Sequence, residues 1–112
     1  MARKKLSDEE IKNALNDLPG WKTENGNLKK RFSFKDFAES IRFVNQVGAI
    51  AERQDHHPDI SFGWGYAEFS ITTHDRGGLT EKDFALAEKI EELLTADERG
   101  KTQIESNQDK KI

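Results

Sequence analysis

Residues 60–73 read Ile-Ser-Phe-Gly-Trp-Gly-Tyr-Ala-Glu-Phe-Ser-Ile-Thr-Thr. Apolar side chains alternate through Ile60, Phe62 and Trp64, and after a turn near Gly65-Tyr66 the alternation resumes through Ala67, Phe69, Ile71 and Thr73. A period of two marks a strand with one buried face, so two such runs around a glycine-containing turn predict an antiparallel hairpin. Its apolar face needs cover from other strands and from helices.

Working outward, Trp21 to Glu24 and Leu28 to Phe34 flank Asn25-Gly26-Asn27, residues that tolerate positive φ, and predict a first hairpin with Phe32 and Phe34 turned to the core. Ser7 and Glu10 form a capping box that starts a helix at about Asp8. Its stripe is Ile11, Ala14, Leu15 and Leu18, and Pro19-Gly20 stops it. A second helix runs from about Lys35 to Gln54 with two adjoining stripes, Phe37, Ile41, Val44, Gly48 and Ala51 beside Phe43, Val47 and Ile50. That is wider than one face needs, and the surplus stripe is expected to meet another subunit. Thr80 and Asp83 form another capping box, with Leu79 and Phe84 as its hydrophobic staple, and open a third helix that continues through Ala87, Ile90 and Leu94 to about Thr95. The order α-β-β-α-β-β-α predicts an α+β single domain, a four-stranded antiparallel sheet with three helices packed on one face. The domain is expected over residues 1–95, and the polar stretch 96–112 is expected to be a disordered tail.

Length and composition agree with one domain. The chain has 112 residues, 34% hydrophobic and 35% charged, which suffices for one core under a charged surface. Eighteen Lys and Arg against 21 Asp and Glu give a net charge of -3, with no basic footprint for a nucleic acid or an anionic membrane. Without cysteine there is no disulfide framework, thiolate metal site or cysteine nucleophile. Met1 to Glu10 lacks the apolar run of a secretory signal, and no uncharged stretch approaches the roughly 18 residues of a membrane span. A cytoplasmic protein is expected.

All three histidines, His56, His57 and His74, fall in one 19-residue window at the outer ends of the second hairpin. Antiparallel pairing brings those ends together, so His74 is expected to return beside the His56-His57 pair. Three readings stay open for the cluster. Histidines at strand ends are commonly solvated or structural. With Asp55 and Asp75 they could hold a zinc ion, although no HxH, HxxxH or HExxH spacing is present. The third is general acid–base catalysis, because imidazole is the side chain best matched to proton transfer near neutrality. Elsewhere, Gly63-Trp64-Gly65 is too short for a phosphate loop, Gly77-Gly78 has no P-loop lysine, and no GxSxG elbow exists.

Glu52, three residues, His56-His57-Pro58, five residues, Trp64, nine residues, His74, eight residues and Asp83 together resemble the signature of the pterin-4a-carbinolamine dehydratases. Gly20-Trp21, Phe34-Lys35-Asp36-Phe37 and Gly78-Leu79 resemble the family's flanking segments, so the likeness covers about residues 6 to 95. The resemblance implies dehydration of 4a-hydroxytetrahydrobiopterin, the product of pterin-dependent aromatic amino-acid hydroxylases, to the quinonoid dihydropterin, in support of tetrahydrobiopterin recycling. It implies no metal and no organic cofactor. By the family pattern, His56 and His74 match general acids for the leaving hydroxyl, and His57 matches a pterin-binding residue that assists as base. Pro58, Thr73, Asp75 and Arg76 match substrate-contacting positions, Trp21 a residue that closes the pocket, and Glu52 and Asp83 supporting carboxylates. The family also implies a homodimer or homotetramer through the second helix. The alternative it carries is a non-catalytic role, as a dimerisation cofactor or assembly chaperone built on the same fold. A metal-free acid–base enzyme is the expectation.

Overall fold

The computed structural model describes residues 5–73 and 78–104. The elements are α1 (Asp8–Leu15), β1 (Lys22–Glu24), β2 (Asn27–Ser33), α2 (Phe37–Gln54), β3 (Asp59–Gly63), β4 (Tyr66–Ile71) and α3 (Glu81–Ile104). The four strands form one antiparallel sheet in the order β1-β2-β4-β3, so the two hairpins join through β2 and β4. Both turns follow from local chemistry. Asn25 and Gly26 both take positive φ between Glu24 and Asn27, which is the twist a two-residue hairpin loop requires.

Register puts one set of side chains on a single face: Leu28 opposite Ile71, Phe32 opposite Ala67, and Phe69 between Lys30 and Ile60. The helices cover this face. Phe43, Val47 and Ile50 of α2 and Phe84, Leu86, Ala87 and Ile90 of α3 join it in one cluster, with half-buried Ile11, Ala14 and Leu15 of α1 packed at its margin. Each fully buried large side chain contributes about 1.5–3 kcal/mol relative to exposure. The opposite face of the sheet is polar, with Lys29, Arg31, Glu68 and Ser61, and the Arg31 guanidinium lies 4.0 Å over the Tyr66 ring.

The α1 capping box forms as expected, the Ser7 hydroxyl accepting from the Glu10 N–H at 3.1 Å and the Glu10 carboxylate from the Ser7 N–H at 2.8 Å. The helix ends at Leu15, and Leu18 is buried from the following turn. The second helix begins at Phe37, two residues later than Lys35, because the Asp36 carboxylate caps it by accepting from the Glu39 N–H at 2.9 Å. Of its two stripes, Phe43, Val47 and Ile50 meet the core, together with Ala51. The other stripe leaves Phe37 46% exposed, stacked on Phe62 of β3 with ring centroids 5.9 Å apart. The β3–β4 turn falls at Trp64-Gly65, one residue earlier than expected, because Gly63 pairs with Tyr66 and Gly65 takes φ +79°. Trp64 therefore stands at a hairpin tip, 71% exposed, and does not pack on the sheet.

The third helix does not stop at Thr95 but continues to Ile104. Thr95 to Ile104 contains one glycine and no proline, and its Ala, Glu, Arg, Lys and Gln residues have good helix propensity, so residues 96–104 extend the helix and are not the tail expected there. The rest of that stretch, 105–112, lies outside the described residues.

Candidate active site

The histidine pair is positioned by the way α2 ends. Asp55 adopts the left-handed conformation, φ 54° and ψ 45°, and its N–H reaches back to the Glu52 carbonyl at 3.3 Å. The next N–H, that of His56, donates to the Ala51 carbonyl at 3.1 Å. These two bonds make a Schellman motif, with aspartate in place of the usual glycine. Lys82 at the start of α3 donates to the Asp55 carbonyl at 2.7 Å and ties this corner to the next helix. The chain then leaves through Pro58, which forces extended backbone on His57 and leads into β3.

His56 and His57 diverge, as successive residues in extended chain should. The His56 ring turns inward, with Nε2 2.5 Å from Asp83 Oδ1. Its side chain keeps 10% of its surface exposed, and that of Asp83 keeps none. The His57 ring turns outward, with Nε2 2.6 Å from Glu52 Oε2, both side chains being exposed. Asp83 and Glu52 thus each accompany one histidine of the pair.

Asp83 is more than a cap. Its Oδ2 accepts from the Thr80 N–H at 2.8 Å, which is half of the expected capping box. The same oxygen accepts from the Thr73 hydroxyl at 2.8 Å. The Thr80 hydroxyl does not take the Asp83 N–H as the box predicts; it accepts from the Lys82 N–H at 3.2 Å and meets the Thr73 hydroxyl at 2.9 Å. The Asp83 N–H donates instead to the Thr80 carbonyl at 3.1 Å. The reason is tertiary. Thr73, one inward step beyond Ile71, delivers its hydroxyl between Thr80 and Asp83, and a backbone bridge from Thr73 to Gly78 holds it there.

The structure therefore brings His56, Asp83, Thr73 and Thr80 into one buried network, with the His57–Glu52 pair outside it. Pro58 is half-buried between the network and β3. His74, Asp75 and Arg76 lie outside the described residues. Trp21 is in the core: it is 5% exposed, its ring meets Phe32 edge-on at 6.1 Å, and its Nε1–H donates to Glu91 at 2.8 Å. Lys30 shares that carboxylate at 2.7 Å. None of the contacts described for Trp21 is with His56, His57 or Asp83. Sequence pattern alone marks Thr80 as a helix cap and nothing more. The available signal was Thr73, a hydroxyl at a position where the period-two pattern calls for a buried apolar side chain, so that a polar partner has to be found for it.

A ring with one nitrogen tied to a buried carboxylate and a small exposed fraction can exchange a proton through its other nitrogen while keeping a fixed orientation. No hydrogen bond to His56 Nδ1 is found among the described residues.

Known proteins resemble this chain over most of its length. The profile of the family described as pterin 4 alpha carbinolamine dehydratase matches residues 4–93. A Rubrobacter xylanophilus protein provisionally named pterin-4-alpha-carbinolamine dehydratase is 47% identical over 89 residues, covering 79% of this chain and 83% of that protein. A Sulfolobus acidocaldarius protein of the same provisional name is 46% identical, covering 80% of this chain and 98% of that one. A Brucella melitensis crystal structure described as a transcriptional coactivator/pterin dehydratase matches with TM-score 0.76 at 31% identity, covering 79% of this chain and 96% of that one. A pterin dehydratase-like protein described as a RuBisCO assembly factor in the alpha-carboxysome matches with TM-score 0.54 at 27% identity, over 65% of this chain and 84% of that one. With most of its length matched by the family profile and by relatives above 40% identity, the chain belongs to the pterin-4-alpha-carbinolamine dehydratase family.

Proposed function

We propose that the protein dehydrates a pterin-4a-carbinolamine, such as 4a-hydroxytetrahydrobiopterin, to the quinonoid dihydropterin and water. The bond from C4a to the hydroxyl breaks, and because hydroxide is a poor leaving group it departs with an added proton. A ring nitrogen gives up a proton as the double bond forms, so one acid and one base complete the reaction. The observation that carries this reading is the 2.5 Å pairing of His56 with the fully buried Asp83. His56 in its protonated state is the acid, and its neutral form after transfer is ready to be recharged. His57, exposed and paired with Glu52, serves the pterin and assists as base. The family resemblance assigns His74, Asp75 and Arg76 to the substrate as well.

The experiment mixes the protein with enzymatically generated 4a-hydroxytetrahydropterin and follows the quinonoid product by absorbance. Acceleration over buffer is expected, and none would refute the reading.

A second reading is favoured by one observation. Phe37 and Ile41 on α2 and Phe62 on β3 are exposed apolar side chains, Phe37 stacked on Phe62, and Trp64 is exposed at the hairpin tip beyond β3. We assign these side chains to contact between copies of this chain through α2, giving a homodimer or homotetramer. The assembly-factor description of one structural relative makes binding of another protein their competing use.

A further inference from the structure

With Asp83 as the carboxylate, counting protons through its network leaves a single consistent arrangement. An ionised Asp83 offers only acceptors, so the Thr73 hydroxyl, 2.8 Å from Oδ2, spends its one proton there. The Thr73 oxygen must then accept across its 2.9 Å contact with Thr80, and the Thr80 hydroxyl must donate. The Thr80 oxygen is in turn free to accept from the Lys82 N–H, the bond observed at 3.2 Å. With the Thr80 N–H also on Oδ2, Oδ1 is left for His56, whose Nε2 must carry the hydrogen. Thr80 and Asp83 have no exposed surface and Thr73 is buried, so water does not substitute for these donors.

We propose that Thr73 and Thr80 are positioning residues: their ordered hydroxyl chain, running from Thr80 through Thr73 to Asp83 Oδ2, holds the carboxylate with Oδ1 on His56, and that contact keeps His56 in the Nε2–H tautomer and makes Nδ1 the nitrogen that exchanges protons. Thr73 acts through Asp83 and does not spend its hydroxyl on substrate. The catalytic consequence rests on the dehydratase reading above; the tautomer assignment does not. Partners that orient a reacting imidazole from behind typically matter by about 10–100-fold when removed.

The test uses the full chain with ¹⁵N-labelled histidine. Two-dimensional correlation spectra of the imidazoles assign the tautomer of His56, and kcat and KM are measured separately. Wild type is expected to show His56 as Nε2–H. Thr73→Val and Thr80→Ala are expected to let the carboxylate turn from the ring, so that the tautomers mix and kcat falls by about tenfold with KM within twofold, and Thr73→Ser and Thr80→Ser to restore both readouts. Thr80 also caps α3, so Ser7→Ala, which removes the equivalent cap of the distant α1, serves as the control: it lowers Tm and leaves tautomer and kcat unchanged. An Nδ1–H tautomer in wild type would overturn the proposal. So would Thr73→Val and Thr80→Ala proteins that keep a pure Nε2–H signal. A wild-type protein without dehydratase activity whose tautomer still responds to the hydroxyl deletions would refute the proposed reaction while upholding the positioning network.

Discussion

Replacing Asp83 by asparagine changes one atom of the side chain and reverses the polarity of its contact with His56. Asp83 receives three donors, His56 at 2.5 Å and Thr73 and the Thr80 N–H at 2.8 Å each. The two that converge on Oδ2 fix the amide oxygen at that position, so the NH₂ of the introduced amide faces Nε2 of His56 at the former Oδ1. Two donors cannot share that contact; the ring keeps the bond only by accepting at Nε2 and carrying its hydrogen on Nδ1. Shape is conserved and the two bonds on Oδ2 survive, while the charge-assisted bond to His56 is lost or replaced by a neutral one, which costs about 1.5–3 kcal/mol. For a domain of this size that corresponds to a fall in Tm of about 6–12 °C. Activity suffers more, because an amide does not balance the charge of the imidazolium and a neutral imidazole N–H is a far weaker acid toward the leaving hydroxyl, and loss of one acid–base group lowers kcat by about 10²–10⁴-fold. The assay is quinonoid-product absorbance under saturating substrate, with thermal melting on the same samples. A folded Asp83→Asn protein with kcat within threefold of wild type would refute the role given to the His56–Asp83 pair.

Other perturbations separate the site from its surroundings. Glu52→Gln removes only an exposed partner of His57, so stability should change by less than about 1 kcal/mol in chemical denaturation, with a smaller effect on kcat than Asp83→Asn has. Trp21→Phe deletes the donor to Glu91 inside the core, and is expected to lower the denaturation midpoint while leaving kcat within twofold of wild type; a large loss of kcat at unchanged stability would instead place Trp21 in the pterin pocket. Phe37→Ser with Phe62→Ser removes the stacked pair from the exposed apolar surface and should shift the mass seen by light scattering toward the monomer. Asp55→Gly relieves a left-handed non-glycine residue and should raise Tm, whereas Asp55→Val should lower it.

How far each feature could be read from sequence depended on how local its causes are. The Ser7–Glu10 box, the Asn25-Gly26 turn and the alternating strands are set by neighbours a few residues apart, and they formed where those residues stand. Departures came where a distant segment intervened. The Thr80 hydroxyl meets that of Thr73, which the chain running on from β4 delivers, so the expected box forms only through its carboxylate half. Capping alone would account for Asp83, yet a carboxylate has two oxygens: one caps α3 and the other holds His56, which is 27 residues away. The resemblance placed Asp83 among the supporting carboxylates without its geometry, and it matched Trp21 to the pocket without its contacts to Phe32 and Glu91. On α2 the pattern showed two stripes but could not rank them, since which one meets the sheet depends on how the helix rolls against β2 and β4. Trp64 departs from its expected place because moving a turn by one residue takes a side chain out of the strand's alternation altogether.

The central claim is that His56, held by Asp83, moves a proton in pterin-4a-carbinolamine dehydration. Its most direct test is the rate of quinonoid product formation with wild type beside His56→Gln, whose amide still offers Asp83 a donor but cannot titrate. The prediction is acceleration over buffer by wild type and at least about a tenfold loss in a variant that melts as cooperatively as wild type. Equal rates for the two proteins, or no acceleration by either, would contradict it.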